Sequence, residues 1–153
     1  MKARFLLSGV ALLAVMALTV VAAEIDLTDV KCVMNPKAPA KAEKSVDYKG
    51  GEVFFCCDNC PKAFAKKIEG KDKLVMAKAN QQLVATEQAK QAKCPFTGGP
   101  LKTELTVNGA KIQFCCNNCK GKAEKLEGDE QLTKLFGEEA WEKAEFEVAD
   151  AKK

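Results

Sequence analysis

The eight cysteines constrain the fold of this 153-residue chain more than any other feature, because they form two groups with the same spacing. Each group has one cysteine, a long spacer, an adjacent pair of cysteines and, after two further residues, a fourth. The first group is Cys32, Cys56, Cys57 and Cys60, and the second is Cys94, Cys115, Cys116 and Cys119. The repeated spacing predicts that one small structural unit occurs twice.

The residues before each cysteine pair support this duplication. Val53-Phe54-Phe55 aligns with Ile112-Gln113-Phe114, and Gly50 aligns with Gly109. The first spacer has 23 residues and the second has 20. We expect the three additional residues of the first unit to lie in a surface loop within residues 36–44, which are rich in Pro, Ala and Lys.

Each spacer also contains a hairpin signal. In the second unit, Leu105-Thr106-Val107 alternates, Asn108-Gly109 favours a tight turn, and Lys111-Ile112-Gln113-Phe114 returns. Asn-Gly is the strongest short hairpin signal because both residues tolerate positive φ. The first unit has the same order, less clearly, between residues 46 and 55. The returning strand leads directly into the cysteine pair.

A helix is predicted after each cysteine cluster. Phe64 and Ile68 are four residues apart and therefore share one helical face. The second helix, residues 120–126, has fewer apolar residues. We expect Phe136 or Trp141 from the tail to supply its missing aromatic ring.

The first 23 residues have the order of a secretory signal peptide. Met1-Lys2-Ala3-Arg4 is a basic start, residues 5–21 are almost entirely apolar, and small residues precede a cleavage point after Ala23. We therefore expect an exported protein of the periplasm or the extracellular space. The alternative is an uncleaved anchor, the one case in which a membrane is an expected partner.

The remaining chain divides into a first module (24–70), a helical linker (71–92), a second module (93–129) and a helical tail (130–153). The linker has no Gly or Pro, which predicts one long helix. Its apolar stripe is expected to pack in an ordinary core and consists of Leu74, Val75, Ala79, Leu83 and Val84. The predicted fold class is α+β, with two small modules of a β-hairpin and a helix joined by a helix. We refer to the modules as the first and second repeats.

The charge distribution argues against nucleic acid as a partner. Lys2 and Arg4 lie in the predicted signal peptide, so its removal lowers the formal net charge from +3 to +1. Arg4 is the only arginine, and the lysines alternate with acidic residues along the chain. A nucleic-acid-binding surface normally concentrates Lys and Arg on one face.

Four thiols in each repeat match the number of ligands in a tetrahedral Zn²⁺ site. Thiolates without imidazole suit soft ions such as Zn²⁺ or Cu⁺, and two or three of them suffice for Cu⁺. We therefore expect one ion in each repeat, held by three or four ligands from the eight cysteines. A repeat of about forty residues has too small a core to be stable without such a staple.

Disulfides are the alternative, because exported cysteines are commonly oxidised. Cys32–Cys60 and Cys32–Cys56 are the reasonable pairs, since a bond between adjacent Cys56 and Cys57 would be strained. The protein would then be a disulfide-stabilised interaction scaffold of the cell envelope without a metal. Free-thiol counting distinguishes the two hypotheses.

We expect no enzymatic activity. The chain has no histidine, so neither a histidine-activated nucleophile nor the usual catalytic zinc ligand set can form. Cys57-Asp58-Asn59-Cys60 has the Cys-x-x-Cys spacing of redox enzymes, but neither repeat is long enough for a thioredoxin-like fold.

Both repeats resemble the YHS/TRASH family of small cysteine-rich metal-binding domains. The resemblance covers residues 31–70 and 93–128. It rests on a lone cysteine followed, after a long spacer, by Cys-x-x-x-Cys: Cys32, Cys56 and Cys60 in the first repeat, and Cys94, Cys115 and Cys119 in the second. Cys94-Pro95 is similar to the family's opening turn, and Phe64 to its helix aromatic.

The resemblance implies a treble-clef-like or zinc-ribbon-like unit that binds or senses heavy metals. The chain also departs from the family pattern. Asn35 and Thr97 stand where many relatives have a further cysteine, and Asn59 and Asn118 where many have a histidine. Either Cys57 and Cys116 replace the lost ligand, or the sites are three-coordinate. The expected partners are the metal ion and an envelope protein.

Overall fold

The structure, a computed structural model, describes residues 25–149. The predicted signal peptide lies outside the described residues. Within residues 25–149, no helix has both the length and the apolar character needed to cross a membrane.

The described chain has an α+β fold made of short hairpins and short helices. The first repeat contains β1 (Lys41–Tyr48), β2 (Gly51–Phe55) and α1 (Asn59–Glu69), followed by α2 (Lys73–Ala85) and β3 (Ala89–Lys90). The second repeat contains β4 (Thr103–Val107), β5 (Ala110–Phe114) and α3 (Asn117–Glu124), followed by α4 (Gly128–Phe136), α5 (Glu138–Lys143) and β6 (Glu147–Val148). Strands pair antiparallel as β1–β2, β4–β5 and β3–β6.

The two predicted hairpins are confirmed, and both turn in the same way. Asn108 and Gly109 have φ of 48° and 83°, and Val107 pairs with Ala110 across the turn. In the first repeat Lys49 and Gly50 take these roles, with φ of 53° and 88°. Positive φ at both central residues gives a turn whose twist matches that of the strands.

The three additional residues of the first repeat form a bulge in β1. Lys41 pairs with Phe55, whereas Ser45 pairs with the preceding residue, Phe54, so residues 42–44 have no counterpart on β2. In the second repeat Thr103 and Glu104 pair with Phe114 and Gln113 without a break. The insertion lies within residues 36–44, as predicted. From Lys41 onward, however, these residues belong to a strand and not to a surface loop, because a bulge accommodates extra residues without ending the pairing.

Helix α2 is shorter than the predicted linker helix. Its N-terminus is capped by the Asp72 carboxylate, which accepts hydrogen bonds from the N–H groups of Leu74 and Val75. It ends at Ala85, and Glu87 then has φ of 58°, which directs the chain into β3. Pairing of β3 with β6 therefore replaces the last part of the predicted helix.

One continuous core joins the two repeats. Helix α2 packs against β2 of the first repeat, β5 of the second, and α4 and α5 of the tail. The predicted stripe residues Val75, Ala79, Leu83 and Val84 are buried, and Leu74 is half-buried. Fully buried residues of this core include Val53, Phe55, Leu83, Ile112, Phe114, Leu135 and Phe136. Burial of each such side chain contributes about 1.5–3 kcal/mol.

The aromatic packing differs between the repeats. The ring of Phe64 in α1 lies 5.3 Å from that of Phe55 and 5.6 Å from that of Tyr48. Ala123 occupies the position equivalent to Phe64, and Phe114 instead stacks on Phe96 at 5.8 Å. The ring stacked on Phe114 therefore comes from the loop after Cys94. The predicted contribution of Phe136 or Trp141 to the second helix stays a prediction.

Candidate metal centre

The first site is a group of three cysteines whose sulfur atoms all lie within 4.8 Å of one another: Cys32, Cys56 and Cys60. Cys56 follows directly on β2, and Cys60 lies in the first turn of α1. Cys32 comes from the segment before β1 and is 2% exposed. Strand end, helix start and a distant loop thus converge on one point.

The second site repeats this arrangement with Cys94, Cys115 and Cys119, whose sulfur atoms also lie within 4.8 Å of one another. Cys115 follows β5, Cys119 lies in the first turn of α3, and Cys94 is fully buried. The alignment of the two repeats therefore corresponds to a real duplication of the site.

Local backbone hydrogen bonds shape the loops that carry the two distant cysteines. The Cys32 N–H donates to the Ala38 carbonyl at 3.0 Å, and the Asn35 N–H donates back to the Cys32 carbonyl at 3.2 Å. In the second repeat the Cys94 N–H donates to Gly99 at 2.9 Å, and the Gly98 N–H donates to Cys94 at 2.8 Å. Each loop is thereby folded into a compact turn that includes its cysteine.

The other two predicted ligands, Cys57 and Cys116, lie at the edge of the sites, and we call them the rim cysteines. Both are exposed. The sulfur of Cys57 lies 3.5 Å from that of Cys60, and the sulfur of Cys116 lies 3.7 Å from that of Cys115. Six of the eight cysteines therefore form the two compact groups, and the rim cysteines stand outside these groups on the solvent side.

Burial and backbone hydrogen bonds act in opposite directions on the pKa values of the thiols. Burial raises the pKa of Cys60 well above its usual value and that of Cys119 to about 12. Hydrogen bonds from backbone N–H groups at the helix start lower the pKa of both rim cysteines. A metal ion must therefore displace protons from Cys60 and Cys119, whereas the rim cysteines ionise more readily.

The second site has an additional polar contact. The hydroxyl oxygen of Thr97 lies 3.2 Å from the sulfur of Cys115. Burial acts to raise the pKa of Cys94, but hydrogen bonds from Thr97 and from backbone N–H groups hold this pKa at about 7. A Cβ at Gly99 would lie 3.2 Å from the Cys115 Cβ, so the loop approaches the site closely.

Sequence reasoning identified Thr97 only as a departure from the family pattern and did not give it a role. The signal available in the sequence was the Thr-Gly-Gly run that follows Cys94-Pro95-Phe96. A hydroxyl beside two glycines in a loop between two predicted ligands is suited to a close contact with one of them.

The donor set fits a soft metal ion. All eight cysteines are free thiols in the structure, and the closest recorded approach of two sulfurs, 3.5 Å, is far longer than a disulfide bond of about 2.05 Å. Each compact group offers three sulfur donors, which suit Zn²⁺ or Cu⁺ and not Ca²⁺ or Mg²⁺. Two groups that could hold a metal ion are therefore present.

Comparison with known proteins gives no match: no family model matches the chain, and neither the curated proteins nor the solved structures include one that is significantly similar. The resemblance to the YHS/TRASH family accordingly remains a prediction that rests on the residues of the two repeats.

Proposed function

We propose that this protein is an exported heavy-metal-binding protein that holds one soft ion, Zn²⁺ or Cu⁺, in each of two thiolate sites. Its role would be to handle or sense metal in the cell envelope. The observation that carries this proposal is the convergence of three sulfur atoms within 4.8 Å, twice, on equivalent elements. A metal ion uses all three donors, whereas a disulfide uses two and leaves the third sulfur of the group unpaired.

The arrangement of elements supports membership of the YHS/TRASH family. In each repeat a hairpin delivers one sulfur at its strand end, the next helix delivers another in its first turn, and a preceding loop delivers the third. This order is compatible with the treble-clef-like unit that the resemblance implies. The absence of histidine agrees with a binding role, because no histidine-activated nucleophile can form.

The rim cysteines support handling of the metal as well as its storage. A Zn²⁺ ion in the first site needs a fourth ligand beyond Cys32, Cys56 and Cys60. Cys57 is exposed and its sulfur is 3.5 Å from that of Cys60, so it can close the site or meet a thiol of an envelope partner. Cys116 can take the same role at the second site, since its sulfur lies 3.7 Å from that of Cys115.

Native mass spectrometry of the mature protein, purified from the envelope without reductant and then denatured in acid, tests this proposal. A native mass that exceeds the denatured mass by two ions supports two sites and identifies the metal. N-terminal sequencing of the same sample tests export, with Glu24 as the expected first residue. A mature chain that begins at Met1 would contradict a cleaved signal.

The second candidate is the disulfide-stabilised envelope scaffold, which the short distances within each group also favour. Sulfurs within 4.8 Å need little rearrangement to form a bond such as Cys32–Cys60. A denatured mass equal to the chain less eight hydrogens, with no added metal, would favour this scaffold. Thiol counting must then give no free thiols until reductant is added.

A further inference from the structure

The side-chain amide of Gln82 joins two chain segments that carry ligands of the first site. Gln82 lies in α2 and is 2% exposed. Its Oε1 accepts a hydrogen bond from the Phe54 N–H at 2.7 Å. Its Nε2 donates to the Phe54 carbonyl at 3.1 Å and to the Lys31 carbonyl at 2.8 Å. Lys31 directly precedes Cys32, and Phe54 lies two residues before Cys56.

Gln91 makes the same three contacts beside the second site. Its Oε1 accepts from the Gln113 N–H at 2.8 Å. Its Nε2 donates to the Gln113 carbonyl at 2.8 Å and to the Lys93 carbonyl at 2.7 Å. Lys93 directly precedes Cys94, and Gln113 lies two residues before Cys115, so the bridged positions are equivalent in the two repeats.

The two glutamines themselves are not equivalent positions of the duplication. Gln91 lies three residues before Cys94, where the first repeat has Asp29 before Cys32. Gln82 lies in a helix, whereas Gln91 follows the short strand β3. The same bridge is therefore made by residues that the duplication does not relate to each other. This favours a role of the bridge at the sites over simple inheritance from the duplicated unit.

We infer that Gln82 and Gln91 are positioning residues, each of which holds the segment of the distant cysteine against the strand of the next ligand. This inference rests on the proposed function. The distant cysteine is separated from its partners by a spacer of at least 20 residues, and the amide fixes both segments at one point. Groups that orient metal ligands typically change metal affinity about 10–100-fold when they are removed.

Gln88 provides a matched control. Its Oε1 accepts from the Glu52 N–H at 2.7 Å, and its Nε2 donates to the Glu52 carbonyl at 2.8 Å and to Thr86. Gln88 is 7% exposed, and like Gln82 it hydrogen-bonds to the backbone of β2. Its recorded contacts do not include the segments before Cys32 or Cys94. A merely structural effect of losing a buried amide should therefore appear equally in a Gln88 variant.

The test measures each site separately. Cys119→Ser isolates the first site and Cys60→Ser the second, and Gln82→Met, Gln91→Met and Gln88→Met are introduced into each background. Zn²⁺ is the probe, and its affinity is measured by competition with a chromophoric chelator. We expect Gln82→Met to weaken only the first site, and Gln91→Met only the second, by about 10–100-fold. Gln88→Met is expected to leave both sites within about twofold of their parents.

Equal weakening of both sites by one glutamine variant, or as large an effect from Gln88→Met, would overturn the inference. Gln91 is half-buried, so Gln91→Met carries the test if Gln82→Met does not fold. If neither parent binds metal, the proposed function fails, and the bridges are tested through thiol oxidation instead. Oxidised glutathione then converts two thiols to one disulfide and yields two reduced glutathiones. Positioning predicts a lower equilibrium constant for the bridged site alone, and an unchanged constant would overturn the inference.

Discussion

The hydroxyl oxygen of Thr97 lies 3.2 Å from the sulfur of Cys115, and this contact distinguishes the second site from the first. Asn35 occupies the equivalent position beside the first site. The first site has its own feature, since Lys44 of the three-residue bulge forms an ion pair with Asp58, next to the rim cysteine Cys57. Two sites with the same sulfur framework thus have different polar surroundings.

Thr97→Val should weaken metal binding at the second site by about fivefold, because a hydrogen bond contributes about 1 kcal/mol. Thr97→Ser keeps the hydroxyl and should restore the affinity. The measurement is chelator competition in the Cys60→Ser background. The first site, assayed in the Cys119→Ser background, serves as the control and should be unaffected. Equal affinities for the Val and Ser variants would show that the hydroxyl has no effect on the ion.

Cys60→Ser and Cys57→Ser should differ strongly although the two residues are three apart. In the Zn²⁺-loaded protein, loss of Cys60 leaves two thiols in the compact group, and the first site should lose its ion. Cys57 is exposed at the rim, so its loss should weaken the site and leave the ion bound. Native mass spectrometry should therefore detect one ion in the first variant and two in the second.

Cys119→Ser and Cys116→Ser repeat this comparison in the second repeat. If the rim variants lose the ion as completely as the others, the sites are four-coordinate with an essential rim ligand. In that case the compact groups of three would not describe the functional ligand set.

Metal affinity of the second site should rise with pH, and more steeply below pH 7 than above it. The pKa of Cys119, raised by burial to about 12, keeps its thiol protonated across this range, so the ion always displaces that proton. Burial and opposing hydrogen bonds leave the pKa of Cys94 at about 7, so the ion displaces one more proton below that pH than above it. Each displaced proton adds about a tenfold loss of apparent affinity for each unit of falling pH.

Competition titrations of the Cys60→Ser variant between pH 6 and 8 measure this slope. Thr97→Val removes one of the hydrogen bonds that lower the pKa of Cys94, and it should move the change of slope to higher pH. A slope that is constant through pH 7 would contradict the assignment of a pKa of about 7 to Cys94.

Gly51→Ala should destabilise the protein by about 1–3 kcal/mol, because the core offers no room for a methyl group there. The added Cβ would lie 2.8 Å from Leu83 Cδ2 and 2.9 Å from Gln88 Oε1. Gly121→Ala in α3 is the control, since its Cβ would meet nothing within 4 Å. The control should gain about 0.5–1 kcal/mol from the better helix propensity of alanine. Urea unfolding of the metal-free protein gives both values.

Leu83→Ala should lower the free energy of unfolding by about 2–5 kcal/mol, because Leu83 is fully buried in the core that joins the repeats.

The protein with both ions bound should unfold in one transition. Tryptophan fluorescence and release of both ions should report the same midpoint. Two transitions, with one ion retained after the first, would show that the repeats unfold independently.

The sequence was sufficient for those features that short-range chemistry determines. Asn108-Gly109 predicted its hairpin because both residues adopt positive φ. The cysteine spacing predicted two clusters but left open whether each holds three or four sulfurs, and the structure groups three in each. The linker helix was predicted too long because nothing in the composition of residues 86–92 shows the pairing of β3 with β6. That pairing joins segments almost sixty residues apart, which local patterns do not report.

The roles of the glutamines were also beyond the reach of the sequence. Gln82 contacts Lys31 and Phe54, which are 51 and 28 residues away. A glutamine in a polar helix ordinarily indicates a solvent-exposed face, and the burial of Gln82 follows from packing of α2 between the repeats. Long-range backbone contacts of this kind become visible only when the tertiary structure is known.

The core around α2 also limits how this architecture can vary in copy number. In a chain of independently folded domains, one domain can be added or deleted without destabilising the others. Here Leu83 and its neighbours in α2 pack against both repeats. Deleting either repeat would therefore expose part of the apolar core of the other. The two repeats thus share one core, and their two candidate metal sites depend on each other through the fold.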